Sequence, residues 1–279
     1  MPLIHDTYGK GRVRVMRVTR GAQQEVRELT AQIMLEGDFQ AAFTAGDNRA
    51  VVATDTIKNI AYVVARERLE ADAEPYGQAL AQRFLDRYPQ VSSATVTLHE
   101  TRWTRYAPGG APHPHAFLLD GNGRGYARVR VDREGEQSIE SGVRGFTFLK
   151  STASGWVDYV MDEFTTLPPA TDRIAATSMD ATWRWAAAPA GYPEANRRVL
   201  DAALDVFATT YSHSIQDSLY RMGEAALAAV PELADIHMAC PNKHYIPVDL
   251  RRFGMDANNQ VFVATDEPHG QIECRVGRG

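Results

Sequence analysis

The stretch RVRVMRV at residues 12 to 18 alternates charged and apolar side chains with a period of two, and ARVRV at 127 to 131 does the same. That period belongs to a strand with one buried face and one wet face, because successive side chains of a strand point to opposite sides. Around these runs the chain reads as two rounds of strands, then helices, then strands. In the first round, 11–20 and 25–45 make a hairpin turned near Gly21, helices follow over 54–70 and 74–90, and 91–106 and 115–133 return to strands. The second helix has Pro75 near its start, Tyr76, Leu80, Phe84 and Leu85 at helical spacing, and Pro89 as a stop. The second round places strands at 137–150 and 173–186 and helices at 194–210 and 214–230. It ends with strands near 233–240, 244–249, 260–266 and 271–277. Ser214 and Asp217 open the last helix with capping-box spacing. The expected class is α+β, with antiparallel sheets and helices on one face, in two units, 1–134 and 135–279. A sheet covered on only one face leaves the other for a partner, so an oligomer is expected.

Composition narrows the function. With 279 residues, 44% of them hydrophobic, the chain is long enough for one or two buried cores. Its net charge of -5 argues against a nucleic-acid footprint, which needs clustered basic residues. No apolar run approaches the roughly 20 residues of a membrane span, and the opening MPLIHDTYGKGRVRV lacks a signal-peptide core, so a cytoplasmic protein away from the membrane is expected. Cys240 and Cys274 form no C-x-x-C pair, which argues against a disulfide framework or a thiolate metal site. Of the 30 basic residues only Lys10, Lys58, Lys150 and Lys243 are lysine. An Arg-favouring genome accounts for the scarcity. Lys can lose its proton when desolvated and Arg does not, so positions that Arg cannot fill should be enriched among these four.

Several segments carry more polar chemistry than packing requires. VVATDTIKN (51–59) sets Thr54, Asp55, Thr56, Lys58 and Asn59 directly after an apolar run. LKSTASGW (149–156), DEFTTLPPATDRI (162–174), SHSIQDSLY (212–220) and PNKHY (241–245) are similarly dense. Each has an ordinary structural explanation: Thr and Asp cap helices, Lys58 can be a solvated helix residue, Arg173 a strand-end ion pair, Gln216 a first-turn residue and His244 a loop histidine. Together with YGK (8–10) and D-x-P-x-G-x-I-E (266–273), these blocks are spread over nearly the whole length of the chain. In that order and at that spacing the sequence resembles the cofactor-free urate oxidase (uricase) family.

The resemblance implies two tandem T-fold (tunnelling-fold) units per chain and a homotetramer with active sites at subunit interfaces. It also implies oxidation of urate by O2 and water to 5-hydroxyisourate and H2O2, without metal or organic cofactor. By position, Lys10 and Thr54 match the family's catalytic pair, with His244 completing the relay. Asn242, with Thr54, matches the place that holds dioxygen and then water. Arg173 and Gln216 match a pincer on the purine, Ile215 and Asp55 match backbone contacts to it, and Trp156 stands where the family has a stacking Phe. These residue types suit a flat purine anion, which needs a cation in its plane, an amide on its edge and an aromatic face. The relay needs a neutral Lys10, which Arg's permanent charge would forbid. Lys10, Thr54 and Asp55 would come from one chain, and Trp156, Arg173, Gln216, Asn242 and His244 from its neighbour. Lys58, Lys150 and Lys243 take no role from the resemblance.

Two other signals are weaker. His113 and His115 in PHPH lack the three or four convergent ligands of a zinc site, and GNGRG (121–125) lacks the GxxxxGK[ST] pattern and reads as a turn between strands. Two rivals remain: a zinc-dependent T-fold enzyme acting on a pterin or GTP, and a catalytically silent purine-binding oligomer. The final CRVGRG lacks an S-K-L type peroxisomal address, in keeping with the cytoplasmic expectation.

Overall fold

The computed structural model describes residues 1–70, 72–256 and 259–278. It divides into two compact units, Met1–Val143 with Arg184–Glu194, and Arg144–Trp183 with Ala195–Gly279.

In the first unit β1 (Tyr8–Thr19) and β2 (Glu25–Gly37) precede three helices, α1 (Gln40–Ala45), α2 (Thr54–Arg68) and α3 (Ala73–Arg87). Then come β3 (Val91–Thr101), β4 (Trp103–Arg105), β5 (Phe117–Leu119), β6 (Arg124–Asp132) and β7 (Gln137–Lys150), the last running on into the second unit. The strand order is β1-β2-β3-β6-β7, and the first three pairings are antiparallel. Leu29, Ile33 and Leu35 of β2, Val96 and Leu98 of β3 and Val129 of β6 share one core with Ile57 and Val64 of α2 and Leu80 and Phe84 of α3. Gly77 lets α3 approach closely, since a Cβ there would stand 3.0 Å from Val129 Cγ2 and 3.2 Å from Leu98 Cδ1. The Tyr76 hydroxyl donates to the Ala61 carbonyl at 3.1 Å and ties the two longer helices together.

The second unit adds β8 (Ala175–Trp185), α4 (Tyr192–Thr209), α5 (Ile215–Ala229), β9 (Leu233–Pro247) and β10 (Phe262–Gly277), with strand order β7-β8-β9-β10. Met179 and Trp183 of β8, Val199 and Phe207 of α4, Leu219 and Met222 of α5 and Met238 of β9 are buried. Gly223 brings α5 onto the sheet, where a Cβ would lie 2.6 Å from Val276 Cγ2. The class is α+β with antiparallel strand pairing, as the alternation implied. Among the described residues no helix is long and apolar enough to cross a membrane.

Three elements differ from the sequence reading. The strand expected over 25–45 stops at Gly37, where a Cβ would fall 2.1 Å from the Gln90 carbonyl oxygen. The helix-favouring QAAFTA then forms α1, closed by Gly46 in the left-handed region at φ 68°. The strands expected at 91–106 and 115–133 each break in two, because β4 and β5 pair with each other in a separate small sheet. The four strands expected after 233 are two long ones. Pro241 stands opposite Gln271 in an unbroken stretch of β9, and the irregularity falls on β10, between Thr265 and Gly270.

Two predictions follow from the cores. Phe84→Ala should cost about 3–5 kcal/mol of unfolding free energy, read by denaturant titration, because the ring is wholly buried. Burial pushes the Cys240 thiol up to about 12. Cys240 should therefore resist thiol reagents at pH 8 until the chain is unfolded. Since its folded-state value lies above the unfolded one of about 8.5, the stability it contributes is complete below that pH and declines as pH rises toward the folded value.

Candidate active site

The candidate residues divide between the two units. In the first unit Lys10 lies on β1 just before a register shift between Lys10 and Val13. Thr54 and Asp55 begin α2, where the amides of a first turn are free to meet acceptors. Asp55 accepts hydrogen bonds from Lys58 Nζ and from Asn59 Nδ2, the latter at 3.1 Å. The hydrogen bond from Lys58 is the main cause that holds the Asp55 carboxyl below its ordinary range, with a smaller contribution from the charge of Lys10. Lys10 and the start of α2 thus share one electrostatic neighbourhood. Sequence reasoning missed the clamp between them. The Tyr8 hydroxyl donates to the Val52 carbonyl at 3.2 Å and accepts from the Val52 N–H at 2.7 Å. Tyr8 is two residues from Lys10 and Val52 two residues from Thr54, so one side chain ties the backbone near the first to the backbone near the second.

In the second unit the segment 153–156 lies between two others. Gly155 N–H donates to the Ser212 carbonyl and Ser212 N–H to the Ala153 carbonyl, both at 2.9 Å. On the other side Trp156 and Ala170 exchange backbone bonds at 2.7 and 2.9 Å, and Arg173 N–H donates to the Ser154 carbonyl at 2.9 Å. This ladder sets the Arg173 guanidinium 5.9 Å from the centre of the Trp156 ring. Arg173 Nε is buried without a hydrogen-bond partner among the described residues, and burial draws the guanidinium below its ordinary value. Tyr159 stacks on Trp156 with centroids 5.5 Å apart and planes 13° from parallel.

Ile215 and Gln216 open α5, capped by Ser214 Oγ, which accepts from Asp217 N–H at 3.0 Å. Ile215 is buried and Gln216 exposed. Asn242 and His244 are half-buried on β9, opposite Gly270 and Thr265. Two residues apart, they share a strand face with Cys240. Cys240, Ile215 and Thr177 line one small apolar cavity, so the start of α5 and these strands converge there. Of the sequence-predicted residues, Lys10, Thr54 and Asp55 lie in the first unit, and Trp156, Arg173, Ile215, Gln216, Asn242 and His244 in the second.

The lysines separate by environment. Lys58 pairs with Asp55, and Lys243 with Asp266 at 3.0 Å. Lys150 donates to the Phe207 carbonyl at 3.1 Å and the Thr210 carbonyl at 2.8 Å, closing the C-terminal end of α4, while desolvation lowers it from its ordinary value. Among the described residues Lys10 has no side-chain hydrogen bond or ion pair. His113 and His115 rest edge to face at 4.5 Å, and the described residues hold no group of three or more His, Cys, Asp or Glu placed to bind a metal.

A family model described as Uricase matches residues 6–130 and again 139–273. The chain belongs to the uricase family. Among relatives of this uricase-family chain, the uricase of Arthrobacter globiformis is 38% identical, over 97% of this chain and 88% of that protein. The uricase of Cyberlindnera jadinii is 33% identical, over 99% of this chain and 97% of its own. The crystal structure of the Arthrobacter globiformis uricase superposes with a TM-score of 0.94, covering 100% of this chain and 95% of that one. The two matches of the uricase model and these structural neighbours agree with an α+β fold of tandem T-fold units.

Lys150→Met should destabilise the chain by roughly 1–3 kcal/mol in denaturant titration, since it removes a charged donor from two carbonyls at a helix end.

Proposed function

We propose that this chain is a urate oxidase, which converts urate, O2 and water into 5-hydroxyisourate and H2O2 without metal or organic cofactor. The observation that carries the reading is Arg173, a desolvated guanidinium beside the Trp156 ring whose buried Nε–H has no partner among the described residues. A flat anion answers both features, supplying the missing acceptor and a surface to stack. Gln216 adds an amide that both donates and accepts, which suits a purine edge carrying C=O and N–H groups. In this reading Arg173 and Gln216 grip the ring over Trp156, with backbone contacts from Ile215 and Asp55.

Lys10 takes a proton through the Thr54 hydroxyl, and His244 completes the relay. The resulting urate dianion is electron-rich enough to reduce dioxygen, which Asn242 and Thr54 hold over the ring before water takes the same place. Water adds to the oxidised purine as a hydroxyl, and the two electrons and two protons leave on oxygen as H2O2. The freedom of the Lys10 side chain from fixed partners among the described residues supports this role. So does the Tyr8 clamp, which ties the backbone near it to the backbone near Thr54.

The assembly that fits is a homotetramer with shared sites, Lys10, Thr54 and Asp55 from one subunit and the remaining residues from its neighbour. Its support is that β1 and β10 end the strand orders of their units, leaving long edges that other copies can pair.

Purified protein mixed with urate, air and a chelator should consume the purine absorbance and release equimolar peroxide. No action on urate, with zinc-dependent turnover of a pterin or GTP, would instead indicate the zinc T-fold enzyme, and urate binding without turnover a silent binder. Lys10→Arg should cut kcat by about 100-fold or more while fold and oligomer persist, because a permanent cation cannot serve as the base. Dilution that separates the subunits should lower specific activity in parallel.

A further inference from the structure

Within the second unit, one side chain crosses the ladder that carries Trp156 and Arg173. Tyr211 belongs to the outer segment 210–212, yet its hydroxyl donates to the Thr171 carbonyl, on the opposite outer segment, at 2.7 Å. The phenol passes the middle segment at Gly155. A Cβ on Gly155 would stand 2.2 Å from the Tyr211 oxygen and 3.2 Å from its Cζ, so the absent side chain is what makes room for the crossing. On its other side Tyr211 adjoins Ser212, whose Oγ accepts from the buried Ser218 Oγ of α5 at 2.6 Å. The Tyr211 side chain therefore joins the Trp156 segment to the Arg173 segment, and the next residue, Ser212, ties them to α5.

We propose that Tyr211 is a positioning residue that, through the room left by Gly155 and its hydrogen bond to Thr171, sets Arg173 and Trp156 against the first turn of α5 for substrate binding. It touches no reacting atom. Its hydroxyl fixes the backbone two residues before Arg173, and its ring fixes the residue before Trp156. Because the strap bears on the segments of Trp156 and Arg173, which are assigned to substrate binding, and not on Lys10 and Thr54 in the other unit, loosening it acts on substrate affinity rather than on the chemical step. This inference rests on the reading of the chain as a urate oxidase.

The test is steady-state urate oxidation and thermal unfolding of Tyr211→Phe, Gly155→Ala and the double variant, each as the assembled protein. Tyr211→Phe keeps the ring and removes one hydrogen bond, so the urate KM should rise about three- to tenfold while kcat stays within about twofold. Gly155→Ala places a methyl 2.2 Å from the phenol oxygen, closer than the two can stand, and should raise KM at least as much. The double variant should be no worse than Gly155→Ala alone, because a strap can be broken only once. An unchanged KM in Tyr211→Phe, a lowered Tm with KM unchanged, or strictly additive effects in the double variant would each overturn the positioning role. Inactivity of the wild-type chain toward urate would overturn the functional reading itself, an outcome separable from an active wild type matched by its Tyr211→Phe variant.

Discussion

Along β2 the side chains divide by parity, Leu29, Ile33 and Leu35 going under the helices while Glu28, Gln32 and Glu36 take the other side. Carboxylates on that second side are tolerable only when paired, since an unpaired charge out of water is costly. Glu36 accepts from Arg130 at 2.9 Å and from Ser93 at 3.1 Å, and the guanidinium holds its carboxyl below the usual range. Glu28, almost fully buried, accepts from the Trp103 indole at 2.8 Å and from Arg14. This division sends both longer helices of the first unit to one face. The start of α2 then meets the beginning of β1, and the proximity of Asp55 to Lys10 follows from it.

The second unit solves a different problem, holding an irregular segment still. Its grip on 153–156 is made of backbone bonds, which do not depend on side-chain identity. Side chains contribute from outside: Lys150 closes the end of α4, and Ser214 caps the start of α5 five residues after α4 ends. The polypeptide between those helices is thereby short and tied at both ends. Arg173 can keep a buried N–H that has no partner among the described residues because the surrounding ladder fixes the backbone that carries it.

Local patterns in the sequence made the regular elements legible. Tyr76, Leu80 and Phe84 at helical spacing mark α3 correctly, and the alternation in 12–18 and 127–131 marks β1 and β6. What stayed hidden depends on partners distant in the chain. The end of β2 at Gly37 is decided by contact with the Gln90 carbonyl, and the continuity of β9 through Pro241 by a register that only β10 reveals. The candidate site divides the same way. Motif blocks indicated Lys10, Thr54, Arg173 and Gln216, whereas the work of Tyr8 and Lys150 lies in bonds to backbone carbonyls, which no residue pattern records.

The Tyr8 hydroxyl bridges 44 positions of sequence, and its partners are the main-chain N–H and C=O of a single residue. Because the contact is to backbone, the identity of the side chain at position 52 is free to change under the demands of packing alone. The turn after β1 and the segment around α1 fall inside the bridged loop. A change of length there leaves this bridge in place, so the stretch of surface can be remodelled without moving the backbone anchor beside Lys10 and Thr54.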